Sequence, residues 1–371
     1  MKSITLITIG AALFLTTACD RVTEETIQDN ALVYSLNLTP DEMNIWETLT
    51  PVQQDRAALF IQNGGTAIAC AAAADPSDLT IVVDHPVMAK IMTTHYQRPV
   101  VAATSAGFLT RSQKKYDLIQ VENWGGSLVG TVALTQDHTF SIEQFGRYLD
   151  HLASDGVLVF NRRLNLPPAD IIRLWATAFL SLQRRGTASP KDHLAILRSW
   201  DTFTLIVSAR PLSSVDTLRE FARDRNFDPV FLPQIKLEDT NHFNRFDQPY
   251  YYHEIDRLAR AYYDSDSKIY FDAYLLDARP QSDRRPFPNR YLKWTRLQEI
   301  YQTTGSRVYA FFLSGEIIVS VVLIPAMLIS RVLLILPAWV CAASGGRHFE
   351  LCGEGVGGGG GLRGWGCYVG L

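Results

Sequence analysis

Glu122 closes a run with the form of a buried strand. The run, Tyr116-Asp117-Leu118-Ile119-Gln120-Val121-Glu122, leads into Asn123-Trp124-Gly125-Gly126. A short, mostly apolar run bounded by turn chemistry reads as a strand buried on both faces. In open α/β sheets, ligands bind outside the carboxyl ends of the strands, which is where Glu122 stands. A carboxylate there can orient an amine and accept its proton. Trp124 and Tyr116 can offer an aromatic wall to a cationic group. The competing reading of Glu122 is a solvated loop acid or a helix cap. For Trp124, and for Tyr250 to Tyr252, it is ordinary packing.

Two further sets could meet a ligand at the same edge. Ala57 to Ile61 is an apolar run followed by Gln62-Asn63-Gly64-Gly65-Thr66 and an Ala-rich stretch. Strand, glycine turn and helix in that order let backbone N–H groups approach an anionic ligand. An ordinary βα turn has the same form. Leu79 to Val83 is a second strand ending in Asp84-His85-Pro86. Asp84 either accepts hydrogen bonds from a ribose or caps the helix opening near Pro86.

The elements that position these residues alternate. Val100 to Ala103 predicts a third strand, and Ser105 to Arg111 a short helix. Ser141 to Ala153 has helical spacing at Ile142, Phe145, Leu149 and Leu152. Asp155-Gly156 predicts a turn into a fifth strand, Val157 to Phe160. Pro167-Pro168 opens a helix through Leu182. His193 to Arg198 and Thr202 to Ser208 are strands joined so tightly that they must form an antiparallel hairpin. The expected fold is α/β: a Rossmann-like seven-stranded sheet with an antiparallel last strand, as in S-adenosylmethionine-dependent enzymes, plus a C-terminal hydrophobic membrane segment.

The 371 residues carry a net charge of −3 with no long basic run, so nucleic-acid binding has no support. Five cysteines without a C-x-x-C pair argue against a zinc site or a disulfide framework. No metal is expected. Both ends are hydrophobic. Ile4 to Ala18 before Cys19 reads as a secretion signal or as a membrane-helix remnant. Val308 to Ala343 is nearly all apolar, broken by Glu316 and Arg331, and reads as one tilted span or two short segments, with a buried soluble helix as the competing reading.

Tyr116 to Glu122 resembles the Y-D-x-I-x-x-D strand of spermidine synthases, and Thr139 to Phe145 with Asp155 to Val159 resembles the helix and strand that follow it. Three further stretches strengthen the likeness: Tyr148 to Leu152, Asn244 to Asp247 with Pro249 to Tyr252, and Asp277 to Pro280 with Ser282 to Phe287. Together they resemble the spermidine-synthase-like domain of bacterial polytopic membrane proteins, over residues 57 to 335. The resemblance implies S-adenosylmethionine or its decarboxylated form as cofactor. It assigns the glycine-loop positions to Asn63, Gly64 and Gly65, the ribose-binding acid to Asp84, and the adenine-contacting position to Thr104 beside Ser105. The catalytic acid falls on Glu122. Asn123-Trp124-Gly125-Gly126 stands where aminopropyltransferases continue S-x-D-P, and Thr104 stands where the family has an acid.

The implied organisation is a signal-like segment over 1–20, a lead-in over 21–56, the Rossmann-like domain over 57–232 and a helical and loop extension over 233–306. Transmembrane segments at 307–343 and a Gly-rich disordered tail at 344–371 follow. The implied function is membrane-associated aminopropyl or methyl transfer to a small amine acceptor. The alternative is a catalytically decayed relative kept for ligand binding or membrane assembly. Membrane lipid is an expected partner, with a homodimer as a further possibility. Basic residues before the C-terminal segment place the domain in the cytoplasm of a bacterial inner membrane. A cleaved signal at Cys19 would instead make an exported lipoprotein. Asp283, Arg284 and Arg285 either hold the domain on the bilayer face or form a solvated charge run.

Overall fold

The computed structural model describes residues 57–62, 78–96, 100–122, 134–213, 215–304 and 315–343. In chain order these form β1 (Ala57–Gln62), β2 (Asp78–Val83), α1 (Pro86–Tyr96), β3 (Val100–Ala102), α2 (Ser105–Arg111) and β4 (Tyr116–Glu122). Next come α3 (Ile142–Asp150), β5 (Leu152–Arg163), α4 (Asp170–Arg184), β6 (Leu194–Arg198), β7 (Thr202–Ser208), α5 (Val215–Asp224) and β8 (Asp228–Phe231). The last elements are α6 (Tyr250–Tyr263), α7 (Ser267–Ala273), α8 (Leu297–Thr304) and α9 (Gly315–Ala343). The described residues fall into two compact units that divide between Ile318 and Val319.

One sheet organises the first unit, in the order β3-β2-β1-β4-β5-β7-β6-β8. The first five of these strands are parallel. β7 runs antiparallel to both β5 and β6, and β8 antiparallel to β6. The hairpin from Arg198 to Thr202 forms as its short link requires. Among the described residues the sheet has eight strands, where seven are expected. β8 reads Asp228-Pro229-Val230-Phe231, too short for a visible alternation and interrupted by a proline. Proline is tolerated at a sheet edge, where no partner needs its missing N–H, and the open side of β6 supplies the pairing.

Asp155-Gly156 is also not the turn that was expected. It lies inside a twelve-residue β5, at a register shift in the pairing with β4 between Tyr116 and Leu118. A Cβ on Gly156 would stand 2.8 Å from the Tyr116 carbonyl oxygen. The glycine therefore serves a close strand approach.

Both faces of the sheet are covered. Phe145, Tyr148, Trp175 and Phe179 from α3 and α4 pack on Leu158, Phe160, Phe203 and Leu205. Met92 from α1 and Leu218 and Phe221 from α5 belong to the cluster on the opposite face, with Val157, Val159, Leu197 and Ile206. Two covered faces explain the continuous apolar runs in the strands.

The second unit begins inside α9. From Ile318 to Leu333 this helix exposes its large apolar side chains. Val321, Val322, Leu323 and Ile324 are consecutive and at least half exposed, so at 100° per residue apolar surface runs round the helix. Among the described residues, no helix is long and apolar enough to cross a membrane, and the span expected over 307–343 is not found in that form.

Candidate functional site

In the strand order, β1 has β2 on one side and β4 on the other. Chain direction through the crossovers reverses there, and ligands bind outside the carboxyl ends of strands at such a switch point. Gln62 and Glu122 are register partners across it. Glu122 is thus the last residue of β4 at the crevice mouth; its side chain, with Asn63, Gly64, Gly65 and Trp124, lies outside the described residues. The register continues from Glu122 to Asn161 of β5 and on to Thr204 of β7. Thr204 Oγ1 donates to Asn161 Oδ1 at 2.9 Å. Both are half-buried, making a polar ledge on a face otherwise built from Val157, Val159 and Ile206.

Asp84 follows the last residue of β2 and is exposed, open to a hydroxyl-bearing ligand. The pairing of β2 with β3 ends with Ala103 N donating to the Val83 carbonyl at 2.9 Å. Thr104 is the next residue. It is the N-cap of α2, and its Oγ1 accepts from Gly107 N at 3.1 Å. The position assigned to adenine contact is thus occupied by a capping hydroxyl, which satisfies one of the helix's orphan N–H groups.

Ser105 is buried against α3, where Gln144 Nε2 donates to its Oγ at 3.4 Å. The fully buried Tyr148 hydroxyl lies beside this pair without reaching hydrogen-bonding geometry. Burial pushes its phenol well above the usual range, against the opposing pull of Ser105 and Gln144. The polar line continues outward: Arg147 donates to Gln144 Oε1 at 2.9 Å and lies 3.7 Å from Asp283. Asp283 also accepts from Ser141 Oγ at 2.5 Å and contacts His138 at 3.3 Å. Its carboxyl is held below the usual range, because these hydrogen bonds and the Arg147 charge outweigh the opposing effect of burial.

The segment 277–291 is therefore strapped across the N-terminal ends of α3 and α4. Arg173 on α4 is the main clasp. It donates to the carbonyls of Arg279 at 3.2 Å, Phe287 at 3.3 Å and Arg290 at 2.6 Å, and also to those of Asp277 and Pro288. Arg162 pairs with Asp170 inside the fold, while Asp170 accepts from the Tyr291 hydroxyl at 2.8 Å. Asp277 binds both Arg279 and Arg285. Burial pushes its carboxyl up, but the Arg279 hydrogen bond and the charges of Arg285 and Arg173 overcome this and hold it at about 2.

Asp283 and Arg285 neither face a bilayer nor stand solvated: both are engaged within the fold, and Arg284 alone of the three is exposed. Asp170 and Arg173 lie among apolar residues in the sequence, and neither stands at a strand end or glycine turn. One signal was available: Asp170, Arg173, Thr177 and Ser181 form a polar line at helical spacing, and all are buried. Among the described residues, no group of His, Cys, Asp and Glu could hold a metal ion.

The strand order up to β6, with β7 inserted antiparallel between β5 and β6, is that of the Rossmann-like S-adenosylmethionine-dependent methyltransferase fold, here extended by β8. No protein-family model matches the sequence, and no curated protein matches it. Among solved structures, the chain is similar to a probable spermidine synthase from Corynebacterium glutamicum ATCC 13032. The identity is 14%, over 51% of this chain and 72% of that one, with a TM-score of 0.39. It is also similar to spermidine synthase from Thermotoga maritima, at 18% identity over 52% and 64% of the two chains, TM-score 0.33. Human methyltransferase-like protein 13 in complex with SAH matches at 14% identity over 50% and 89%, TM-score 0.33.

Proposed function

We propose that the chain is a spermidine-synthase-like transferase that uses S-adenosylmethionine or its decarboxylated form to alkylate an amine, and that it is membrane-associated through α9. The observation that carries the reading is the register of Gln62 with Glu122 across the β1/β4 switch point. It sets the carboxyl ends of β1 and β4 side by side at the switch point, where a glycine turn after β1 and the strand-end acid would meet one ligand. Asp84, exposed at the end of β2, fits a ribose. Bound there, the cofactor would supply a carbon made electrophilic by a neighbouring sulfonium, and Glu122 would hold the amine in line with it and accept the amine proton as the carbon–sulfur bond opens to a thioether. Much of the rate in such a displacement comes from in-line positioning. Asn161 is the register partner of Glu122 on β5 and is hydrogen-bonded by Thr204 of β7, a polar pair next to that strand end. The apolar surface of α9 supports contact with lipid, with the first unit on the cytoplasmic side.

The test is thermal melting of the detergent-solubilised full chain with S-adenosylmethionine, its decarboxylated form and methylthioadenosine. A ligand at 100 times its Kd stabilises by about 2.7 kcal/mol. We expect a rise of several degrees that Asp84→Ala abolishes. A cooperative melt that none of the three moves would sink the transferase reading. The second reading, a fold retained for binding or membrane assembly, draws on the Thr104 hydroxyl, which caps a helix where the family places an acid.

A further inference from the structure

α8 carries an exposed amphipathic stripe. Trp294, Leu297 and Tyr301 follow one another at i, i+3 and i+7 through the short 3₁₀ turn Trp294–Arg296 and α8. They are 49%, 36% and 57% exposed, whereas Ile300 is buried. Large apolar side chains at this spacing share one helix face. Trp and Tyr add an N–H and an O–H to an apolar body, a combination that suits the boundary between hydrocarbon and water.

The neighbouring cations are already engaged. Lys293 Nζ donates to the Phe271 and Tyr274 carbonyls at 2.6 Å each, and Arg296 pairs with Glu299 at 3.1 Å. Attraction to anionic headgroups is therefore not the main force available to this surface. The next described helix along the chain, α9, exposes apolar side chains round its circumference. A single docked protein covers one side of a helix, whereas lipid covers all of it. Lipid is therefore the occupant that the exposed surface of α9 favours, and α8 is the helix that precedes α9 in the chain.

We propose that Trp294, Leu297 and Tyr301 form the face by which the first unit lies in the headgroup boundary of a lipid bilayer, driven by apolar burial rather than by charge. The proposal rests on the membrane association proposed above. It places the contact on α8 and not on the Asp283–Arg285 run.

The experiment uses the full chain with phosphatidylcholine vesicles whose acyl chains carry bromine near the headgroup or deep in the core. Flotation reports binding, and loss of tryptophan emission reports depth. The chain has seven tryptophans, so Trp294 is read as the difference between wild type and Trp294→Phe. The expected result is flotation with neutral vesicles that persists at high salt, with a Trp294 component quenched more by shallow bromine than by deep bromine. Leu297→Trp, a second reporter on the same face, should gain shallow quenching. Flotation with no difference between wild type and Trp294→Phe, and no gain in Leu297→Trp, would overturn the α8 face while leaving membrane association intact. Flotation restricted to anionic vesicles and abolished by salt would overturn the apolar mechanism. Absence of flotation would overturn both proposals.

Discussion

Beyond β4 the sheet is sealed: β6 is buried at all five residues and β8 at all four. At the other edge, β3 has three residues and buries none of them. The sealed half is held by charged groups inside the fold, among them Arg162 with Asp170, Arg198 with Asp228, and Arg173 with its carbonyls. The opposite half has short elements and lighter fastenings such as the Thr104 cap, and it carries Asp84 and the β1/β4 crevice. Buried ion pairs of this kind do little for net stability against an apolar replacement, yet breaking one leaves an uncompensated charge. They act here as clasps within the sealed half, whereas the half that carries the crevice is shaped by turns and caps.

Removing a clasp should cost most. Asp228 is fully buried and pairs with Arg198 at 2.9 Å. It also accepts from the backbone N–H groups of His242 at 2.5 Å, Phe243 at 3.1 Å and Asn244 at 2.9 Å. Arg198 Nη1 has no hydrogen-bond partner beside a cavity of ≈ 10 Å³, room for about one water. Asp228→Ala strands the guanidinium and three N–H groups, and should destabilise by about 3–5 kcal/mol. Chemical denaturation measures it; a loss under about 1 kcal/mol would mean that the clasp view is wrong.

The strap offers a pH test of intermediate size. The Asp277 carboxyl is held at about 2, against an ordinary 3.8. A carboxyl with a depressed folded-state value contributes stability that is complete above its unfolded value and is lost as pH falls through the folded one. Discounted for solvent screening, this is about 1–2 kcal/mol lost between roughly pH 5 and pH 2. Asp277→Asn should flatten that part of the stability–pH curve. Parallel curves for the two proteins would remove Asp277 from the account.

The smallest effect belongs to the half that carries the crevice. A Cβ at Gly107 would stand 3.0 Å from Thr104 Oγ1. Gly107→Ala should therefore push the cap aside at about 1 kcal/mol, offset by a similar gain in helix propensity, and so move Tm by no more than a few degrees. If it proved as costly as Asp228→Ala, the contrast between the halves would fail.

Of the expected elements, those with strong local signals were the legible ones. β4 runs over Tyr116–Glu122 as its turn-bounded run implies, β7 over Thr202–Ser208, and α2 over Ser105–Arg111. Ser141 caps α3 through Gln144 N at 3.1 Å, as expected from its place before the periodic stretch. Of the candidate site, the chain order of Glu122 and Asp84 on their strand ends was readable, since both depend on where a run stops. The use of Thr104 as a cap was not, because a threonine before a helix has the same letter whether it meets a ligand or Gly107.

The sequence by itself determined the alternation of strands and helices, the acid at the end of β4 and the apolar character of α9, because runs, spacing and turn residues act over a few positions. Only the tertiary structure decided that Asp228 to Phe231 is an eighth strand, since that requires the open edge of β6. It also decided that Gly156 lies within a strand, because its constraint is the Tyr116 carbonyl, 40 residues earlier in the chain. The clasp at Arg173 is of the same kind: its acceptors are carbonyls 104 to 117 residues away, and no local pattern encodes an acceptor that every residue carries.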